Sequence, residues 1–203
     1  MCGRFAFDSS IQELIKEFKI KKIELKIERN KNIAPSMEIP VIINNNNENE
    51  LSKFIWGIKI KISSEKKEVN LINTKIESLL NNYLYKNFLE FKRCLVPATG
   101  FYEWKKNEEK NRKDKYLIRI KNKVLFAFAA IYIEKSDETE RKKFFSILTE
   151  PAEKTISHIH NRMPVILTDE KEYLLWLNEN NKQLENILEK IRKEKDFVYD
   201  ISE

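Results

Sequence analysis

The stretch of residues 93–133, RCLVPATGFYEWKKNEEKNRKDKYLIRIKNKVLFAFAAIYI, decides the fold of this chain of 203 residues. Its apolar and alternating segments are rich in β-branched and aromatic residues and are separated by short polar connections, a pattern typical of antiparallel strands. The polar segment 106–114 predicts a hairpin loop between two of them. We therefore expect strands at 93–97, 100–105, 116–120 and 124–133.

The segments on either side of this stretch predict further strands and several helices. Ser9 or Ser10 can cap a helix, because apolar residues follow at helical spacing from Ile11 to Phe18. Further strands are predicted at 2–7, 39–43, 54–62, 144–148 and 163–167. Further helices are predicted at 79–91, 151–158, 170–177 and 183–192. The sequence thus predicts an α+β fold with a mostly antiparallel, curved or barrel-like sheet and flanking helices.

The composition limits the classes of protein to which the chain can belong. It is 41% hydrophobic, and its two cysteines cannot build a disulfide framework. The longest apolar run, 124–133, is too short to span a bilayer, which takes ~20 residues. We therefore expect a single domain over residues 1–203, in a soluble, cytoplasmic and monomeric protein without a membrane segment.

The charge of the chain is distributed unevenly. Residues 1–168 carry 32 basic and 22 acidic side chains, whereas the segment from Asp169 onward carries 6 and 10. An excess of positive charge attracts polyanions such as nucleic acid. A composition biased toward lysine and asparagine explains the same numbers without any partner, so the charge alone leaves both interpretations open.

Cys2 is the residue with the most distinctive chemistry. Removal of Met1 would leave a terminal cysteine with a free α-amine and a thiol, whose reference pKa values are ~7.7–8.0 and ~8.5. Such a pair suits aldehydes, because the amine forms a Schiff base and the thiolate closes it into a thiazolidine ring. Cys2 could also attack a neighbouring peptide carbonyl, or be a buried cysteine without a role.

Four further residues could carry chemistry. Glu103 lies in an aromatic strand, where burial would raise its pKa and let it move protons, although pairing with a lysine is equally compatible. Asn73 can hold a carbonyl or hydroxyl group, or cap the helix that follows. His158 and His160 are the two histidines; one can serve as an acid or base, and neither belongs to a metal site evident in the sequence.

Six segments occur in an order and spacing that resemble one known family. They are MCGRF at 1–5, NIAPS at 32–36, WG at 56–57, INTKIES at 72–78, RCLVPATGFYEW at 93–104 and HIHNRMPVIL at 158–167. In combination these motifs closely resemble the SOS response-associated peptidase family, the abasic-site processing proteins. The resemblance covers essentially the whole domain.

The resemblance implies a protein that binds single-stranded DNA at abasic sites and links Cys2 to the ring-opened deoxyribose as a thiazolidine, after autocatalytic removal of Met1. It implies that Asn73 holds the sugar and the N-terminal region, and that Glu103 is the acid and base for ring opening and Schiff-base formation. His160 would protonate the departing ring or help reverse the link. β-Elimination at the abasic site is an implied side reaction, and no metal or cofactor is implied.

The resemblance also implies contacts with DNA. Arg4, Lys75 and Arg162 match positions where the family places basic residues against phosphates, although Lys75 stands where the family usually has arginine. Trp56 would stack on a base or wedge beside the lesion, a contact of ~1–3 kcal/mol per base, although it fits the core as well.

Two other functions remain compatible with the residues. A cysteine peptidase acting on other proteins would use Cys2 as nucleophile. A non-covalent single-strand binding module would use the positive charge and the aromatic content alone.

Overall fold

A computed structural model describes residues 2–23, 25, 27–62, 67–81, 92–136, 141–178, 184–191 and 193–202. Four helices lie in these residues: α1 (Ile11–Phe18), α2 (Ile76–Asn81), α3 (Glu170–Asn178) and α4 (Leu184–Ile191). The strands of the first half are β1 (Phe5–Phe7), β2 (Ile20–Ile23), β3 (Asn30–Ile33), β4 (Glu38–Asn45), β5 (Glu48–Trp56), β6 (Ile58–Ile62), β7 (Lys67–Leu71) and β8 (Asn73–Lys75). The remaining strands are β9 (Arg93–Ala98), β10 (Gly100–Asn107), β11 (Arg112–Ile120), β12 (Phe126–Ser136), β13 (Arg141–Pro151), β14 (Arg162–Pro164), β15 (Ile166–Leu167) and β16 (Phe197–Ile201).

Five strands close into a barrel in the order β13-β12-β9-β4-β5. Four of its five pairings are antiparallel, and the parallel pairing of Phe145 with Trp56 joins β13 back to β5. A second sheet has the order β16-β11-β10-β1-β3 and is antiparallel throughout. The predicted α+β fold with a mostly antiparallel, barrel-like sheet is therefore confirmed.

The barrel core anchors the N-terminal strand. The Phe5 ring lies against the rings of Trp56 and Phe128, with centroid distances of 5.2 and 5.4 Å, and Trp56 in turn stacks on Phe145. These four side chains are fully buried. Because aromatic burial is a large contribution to core stability, Phe5 fixes the position of the chain three residues from Cys2.

The first helix begins as the sequence indicates. Ser10 and Glu13 form a reciprocal capping box: the Glu13 N–H donates to Ser10 Oγ at 3.2 Å, and the Ser10 N–H donates to Glu13 Oε2 at 2.7 Å. Leu14 and Phe18 face the core. The predicted helix between Ile11 and Phe18 is therefore confirmed. It begins at Ile11 because the cap satisfies amide groups that a helix start leaves without partners.

Two predicted elements differ in the structure. The predicted strand 54–62 is interrupted at Gly57, where φ is +121° and a Cβ atom would collide with the Asn70 side chain. The predicted helix 151–158 is wrong: β13 continues to Pro151, and successive turns follow it. In these turns Glu153 O accepts hydrogen bonds from the Ile156 and Ser157 amides, at 3.0 and 2.8 Å.

Other boundaries moved or lie outside the described residues. The predicted strand 163–167 is two short strands, since Val165 bonds to Leu148 O while its own carbonyl accepts from Ala129. Of the predicted helix 79–91, the described part ends at Asn81 with α2, and residues 82–91 lie outside the described residues. No helix in the described part of the chain is long and apolar enough to cross a membrane.

Candidate functional site

Cys2 lies buried at the entrance to β1. The chain around it is held by β10, since the Tyr102 amide donates to Arg4 O at 2.8 Å and Phe5 pairs with Phe101. The Cys2 thiol is fully buried, with its Sγ atom 3.6 Å from Arg4 O. Burial raises the pKa of the Cys2 thiol far above its usual range, and the nearby carboxyl group of Glu103 raises it further. The resting group is therefore a neutral thiol.

Asn73 joins the N-terminal segment to the barrel. It begins β8, which pairs in parallel with β13 through Ile147. Its side-chain Nδ2 donates a hydrogen bond of 2.8 Å to the Cys2 carbonyl oxygen. The side chain is buried, and among the described residues its Oδ1 atom accepts no hydrogen bond. The amide therefore fixes the Cys2 backbone with one end and keeps an acceptor at the other.

Glu103 is a carboxyl group buried next to the cysteine. It lies on β10 with its side chain 3% exposed, and Tyr116 on β11 is its directly opposite residue. Burial raises the pKa of Glu103 to about 7, even though the positive charge of the amino terminus acts to lower it. A carboxyl group with this pKa exists in both protonation states at neutral pH, which is what an acid–base catalyst needs.

His160 is half-buried between the turns after β13 and the start of β14. Its Nδ1 atom lies 3.0 Å from the Arg162 amide nitrogen and 3.1 Å from the Arg162 carbonyl oxygen. Burial lowers the pKa of His160, and the positive charge of the amino terminus lowers it further. The same positive charge acts on Cys2, Glu103 and His160, so these three groups occupy one electrostatic environment.

Two of the basic residues predicted to contact DNA, Lys75 and Arg162, are both neighbours of Thr149. Lys75 pairs with Thr149 through β8 and is exposed. Arg162 donates to Thr149 O at 2.6 Å and forms a two-pronged ion pair with Glu77, with N–O distances of 2.6 and 3.0 Å. This pair holds the pKa of Glu77 below its usual range. The sequence gives no local signal for the pairing, because 85 residues separate the partners.

The remaining DNA-contact candidates occupy different environments. Arg4 is half-buried, and its Nη1 atom donates to Asn32 Oδ1 at 3.2 Å. Trp56 is fully buried, and its indole N–H donates to Ile72 O at 2.8 Å. This burial agrees with the core alternative for Trp56, and its stacking or wedge role stays a prediction. Its ring is part of the barrel core.

The described residues contain no cluster of three or more histidine, cysteine, aspartate or glutamate side chains able to hold a metal ion. The chemistry on offer is that of Cys2, an amide, a carboxyl group and an imidazole. The fold and the site together define a class of β-barrel proteins with a buried cysteine at the second position, beside an asparagine and a glutamate of raised pKa.

The chain belongs to the SOS response associated peptidase (SRAP) family, whose family model matches residues 1–203. It is similar to abasic site processing protein YoqW of Bacillus subtilis (strain 168), with 39% identity over 186 residues that cover 89% of this chain and 82% of that protein. It is also similar to abasic site processing protein YedK of Escherichia coli (strain K12), with 26% identity over 84% of this chain and 77% of that protein.

Solved structures share the fold. A protein from Bacteroides thetaiotaomicron superposes with a TM-score of 0.82 at 19% identity, over 100% of this chain and 92% of that chain. A phage-related protein from Bordetella bronchiseptica superposes with a TM-score of 0.79 at 24% identity, over 99% of this chain and 94% of that chain. At these identities the likeness supports the architecture alone.

Proposed function

We propose that this protein processes abasic sites in DNA by trapping the sugar aldehyde of a single-stranded lesion on Cys2, after Met1 has been removed. The observation that carries the proposal is the hydrogen bond from Asn73 to the Cys2 carbonyl, beside the buried carboxyl group of Glu103. Membership of the SRAP family and relatives named abasic site processing proteins support it. The trap is a thiazolidine, which shields the lesion.

Ring opening of the sugar comes first. Glu103 in its carboxylate form takes the proton of the C1′ hydroxyl group, while protonated His160 donates a proton to the ring oxygen as the C1′–O bond breaks. The raised pKa of Glu103 makes it a stronger base, and the lowered pKa of His160 makes its protonated form a stronger acid. The product is a free aldehyde at C1′.

Two bonds then form at C1′. The α-amine of Cys2 attacks the aldehyde carbon, and the resulting carbinolamine loses water: Glu103, now protonated, returns its proton to the departing hydroxyl group, and the nitrogen proton passes to the neutral His160, which leaves a neutral imine. The thiol sulfur adds to the imine carbon, and the thiol proton moves to the nitrogen. The net reaction joins protein and DNA with loss of one water molecule, and a neutral buried thiol supplies both atoms that the last step needs.

Removal of Met1 is proposed to use the same thiol. Cys2 Sγ attacks the Met1 carbonyl carbon, the Cys2 nitrogen leaves as a free amine with a proton, and a thioester forms. Water hydrolyses the thioester, which releases methionine and restores the thiol. Asn73 supports this step, since its side-chain amide donates to the Cys2 carbonyl oxygen and so orients the Cys2 backbone.

The basic residues near the site are proposed to hold the strand. Lys75 is exposed two residues beyond Asn73, and Arg162 lies two residues beyond His160. Arg4 follows Cys2 at the same spacing. Each of the three is thus within two residues of a proposed reacting or positioning group, so phosphates flanking the lesion would meet positive charge on several sides.

Denaturing gel electrophoresis after incubation with an abasic single-stranded oligonucleotide tests the proposal. We expect a covalent shift that Cys2→Ala abolishes and that Cys94→Ala retains, because Cys94 is the matched buried cysteine on β9. A strand with an intact base or a tetrahydrofuran analogue should give no shift. Correctly processed wild-type protein that leaves the abasic strand unshifted would overturn the proposal.

The same gel separates the alternatives. A non-covalent binding module would give no shift under denaturing conditions and would bind intact and abasic strands equally. A peptidase acting on other proteins needs turnover of added substrate. A protein that removes only its own Met1 and turns over no added substrate would exclude that function.

A further inference from the structure

The C-terminal strand β16, which the sequence pattern did not predict, extends the sheet face that carries Glu103. Directly opposite residues of antiparallel strands point to the same side of a sheet. Glu103 is opposite Tyr116, and Tyr116 is opposite Ile201 on β16. Tyr199, two residues before Ile201, therefore shares this face. The face runs without interruption from the buried carboxyl group to the open edge of the sheet.

Aromatic rings cover this face where it reaches the surface. The ring centroids of Tyr116 and Tyr199 lie 6.0 Å apart in an edge-to-face arrangement. The ring centroid of His158 lies 5.2 Å from that of Tyr199. Tyr199 remains 40% exposed and His158 is exposed. His158 is also two residues from His160, which ties the same cluster to the proposed acid. We call Tyr116, His158 and Tyr199 the aromatic platform.

The platform has the chemistry of a base-stacking surface. Exposed aromatic side chains stack on nucleobases with little regard to sequence, and in single-strand binding proteins they do so alongside positive charge. Tyr116 and His158 belong to residues 1–168, which carry the excess of positive charge, whereas Tyr199 belongs to the segment from Asp169 onward, where acidic residues are in excess. Trp56 is buried in the core, whereas the aromatic platform reaches the surface and includes Tyr116, the residue directly opposite Glu103.

We propose that Tyr199, held by His158 and Tyr116, stacks on the base next to the abasic sugar and so guides the lesion toward Glu103. The inference rests on the proposed function, because it takes the occupant to be the strand that carries the lesion. It assigns a binding role to the C-terminal strand, which otherwise only completes the sheet. Stacking beside an abasic site is favourable because the lesion leaves the neighbouring base without one of its own stacking partners.

Equilibrium binding to strands with a tetrahydrofuran analogue tests the platform, because the analogue has no aldehyde and cannot cross-link. One strand keeps ordinary bases on both sides of the analogue, and a second strand has analogues there as well. Tyr199→Ala should weaken binding to the first strand by about five- to 150-fold, the range of one base–aromatic stack, and to the second by less than about twofold. Tyr199→Phe should bind both strands as the wild type does.

Ile201→Ala is the matched control, since Ile201 lies on the same strand and face and is 64% exposed. We expect it to bind both strands like the wild type. If Tyr199→Ala fails to fold, Tyr199→Leu takes its place, because leucine keeps an apolar side chain on the edge strand. Tyr199→Leu should show the losses expected of Tyr199→Ala.

Two results would overturn the platform: equal losses on both strands, or no loss on either. If Tyr199→Ala leaves DNA binding unchanged and instead removes a dimer in solution, β16 pairs with a second copy of the chain. None of these measurements requires cross-linking, so they stay separate from the proposed function. That function fails if wild-type protein forms no adduct with an aldehyde-bearing strand.

Discussion

The side-chain amide of Asn73 donates a 2.8 Å hydrogen bond to the carbonyl oxygen of Cys2, 71 residues earlier in the chain. The bond connects the N-terminal segment to β8 and, through the parallel pairing of β8 with β13, to the closed barrel. A flexible terminus would present its amine and thiol in many orientations. This contact fixes the Cys2 backbone, and preorganisation of that kind is a large part of catalysis.

Asn73→Ala should therefore slow both Met1 removal and cross-linking, by about tenfold or more, because the reacting groups lose their fixed orientation. It should also lower the free energy of unfolding by about 1–3 kcal/mol, since the buried Cys2 carbonyl loses its donor. Intact-mass spectrometry, gel kinetics and urea unfolding measure the three effects. Asn45→Ala, at an exposed position of β4, is the control. An Asn73→Ala protein with wild-type rates would contradict the positioning role.

Glu103→Gln should remove a pH dependence from the cross-linking rate. The pKa of Glu103 is raised by burial to about 7 and the pKa of His160 is lowered by burial, so the Glu103 carboxylate gains population and protonated His160 loses it as the pH rises. The wild-type ring-opening rate needs both forms and should therefore pass through a maximum and fall on either side. The glutamine variant cannot take the C1′ proton and should be slow at every pH. Rates measured across this range test the role, and an unchanged profile in Glu103→Gln would exclude it.

The raised pKa of Glu103 should also make the stability of the folded protein fall as the pH rises. Because the pKa of Glu103 is raised on folding from 4.5 to about 7, its contribution to stability is fully present below the lower value and is lost as the pH rises through the higher one. The Tm of the wild type should therefore fall more steeply over this interval than the Tm of Glu103→Gln. Parallel Tm curves for the two proteins would contradict the raised pKa.

Arg162→Gln should weaken binding to single-stranded DNA and lower its salt dependence. If Arg162 neutralises one phosphate, the slope of log K against log salt concentration changes by ~0.7. The same variant should raise the pKa of Glu77, which Arg162 now lowers through their ion pair. Lys75→Gln should show a similar change of slope. Binding measured at several salt concentrations decides this, and an unchanged slope would remove Arg162 from the DNA contact.

Trp56→Phe should affect stability rather than DNA binding. The variant keeps an aromatic core side chain but loses the indole hydrogen bond to Ile72 O, which costs about 1 kcal/mol. Trp56→Ala should cost about 3–5 kcal/mol, as expected for a fully buried tryptophan. Denaturant unfolding and DNA titration of the phenylalanine variant measure both. A stable variant with greatly weakened DNA binding would support the stacking role instead.

Local patterns predicted much of the fold. The capping box of α1 and the alternation along β9 to β13 lie within short segments, so the sequence displays them directly. Closure of the barrel is different, because the pairing of Trp56 with Phe145 joins segments far apart in the chain. The burial of Trp56 follows from that closure. The sequence pattern predicts its neighbour Gly57 within a strand, whereas the positive φ of Gly57 interrupts that strand.

For the candidate site, the sequence predicts the residues but not the contacts between them. Motifs identified Cys2, Asn73, Glu103 and His160 as chemically capable, yet the contact between the first two depends on the parallel pairing of β8. The ion pair that occupies Arg162 and the face that leads to Tyr199 arise from tertiary structure. The residues next to Arg162 in the sequence do not indicate Glu77 as its partner, and those next to Tyr199 do not indicate that it shares a sheet face with Glu103.

Intact-mass spectrometry of the adduct with an abasic oligonucleotide tests the central claim most directly. The account predicts a mass equal to the chain without Met1 plus the oligonucleotide, less one water, and no such adduct from Cys2→Ala. An adduct that retains Met1, or one that forms equally on Cys2→Ala, would contradict the account.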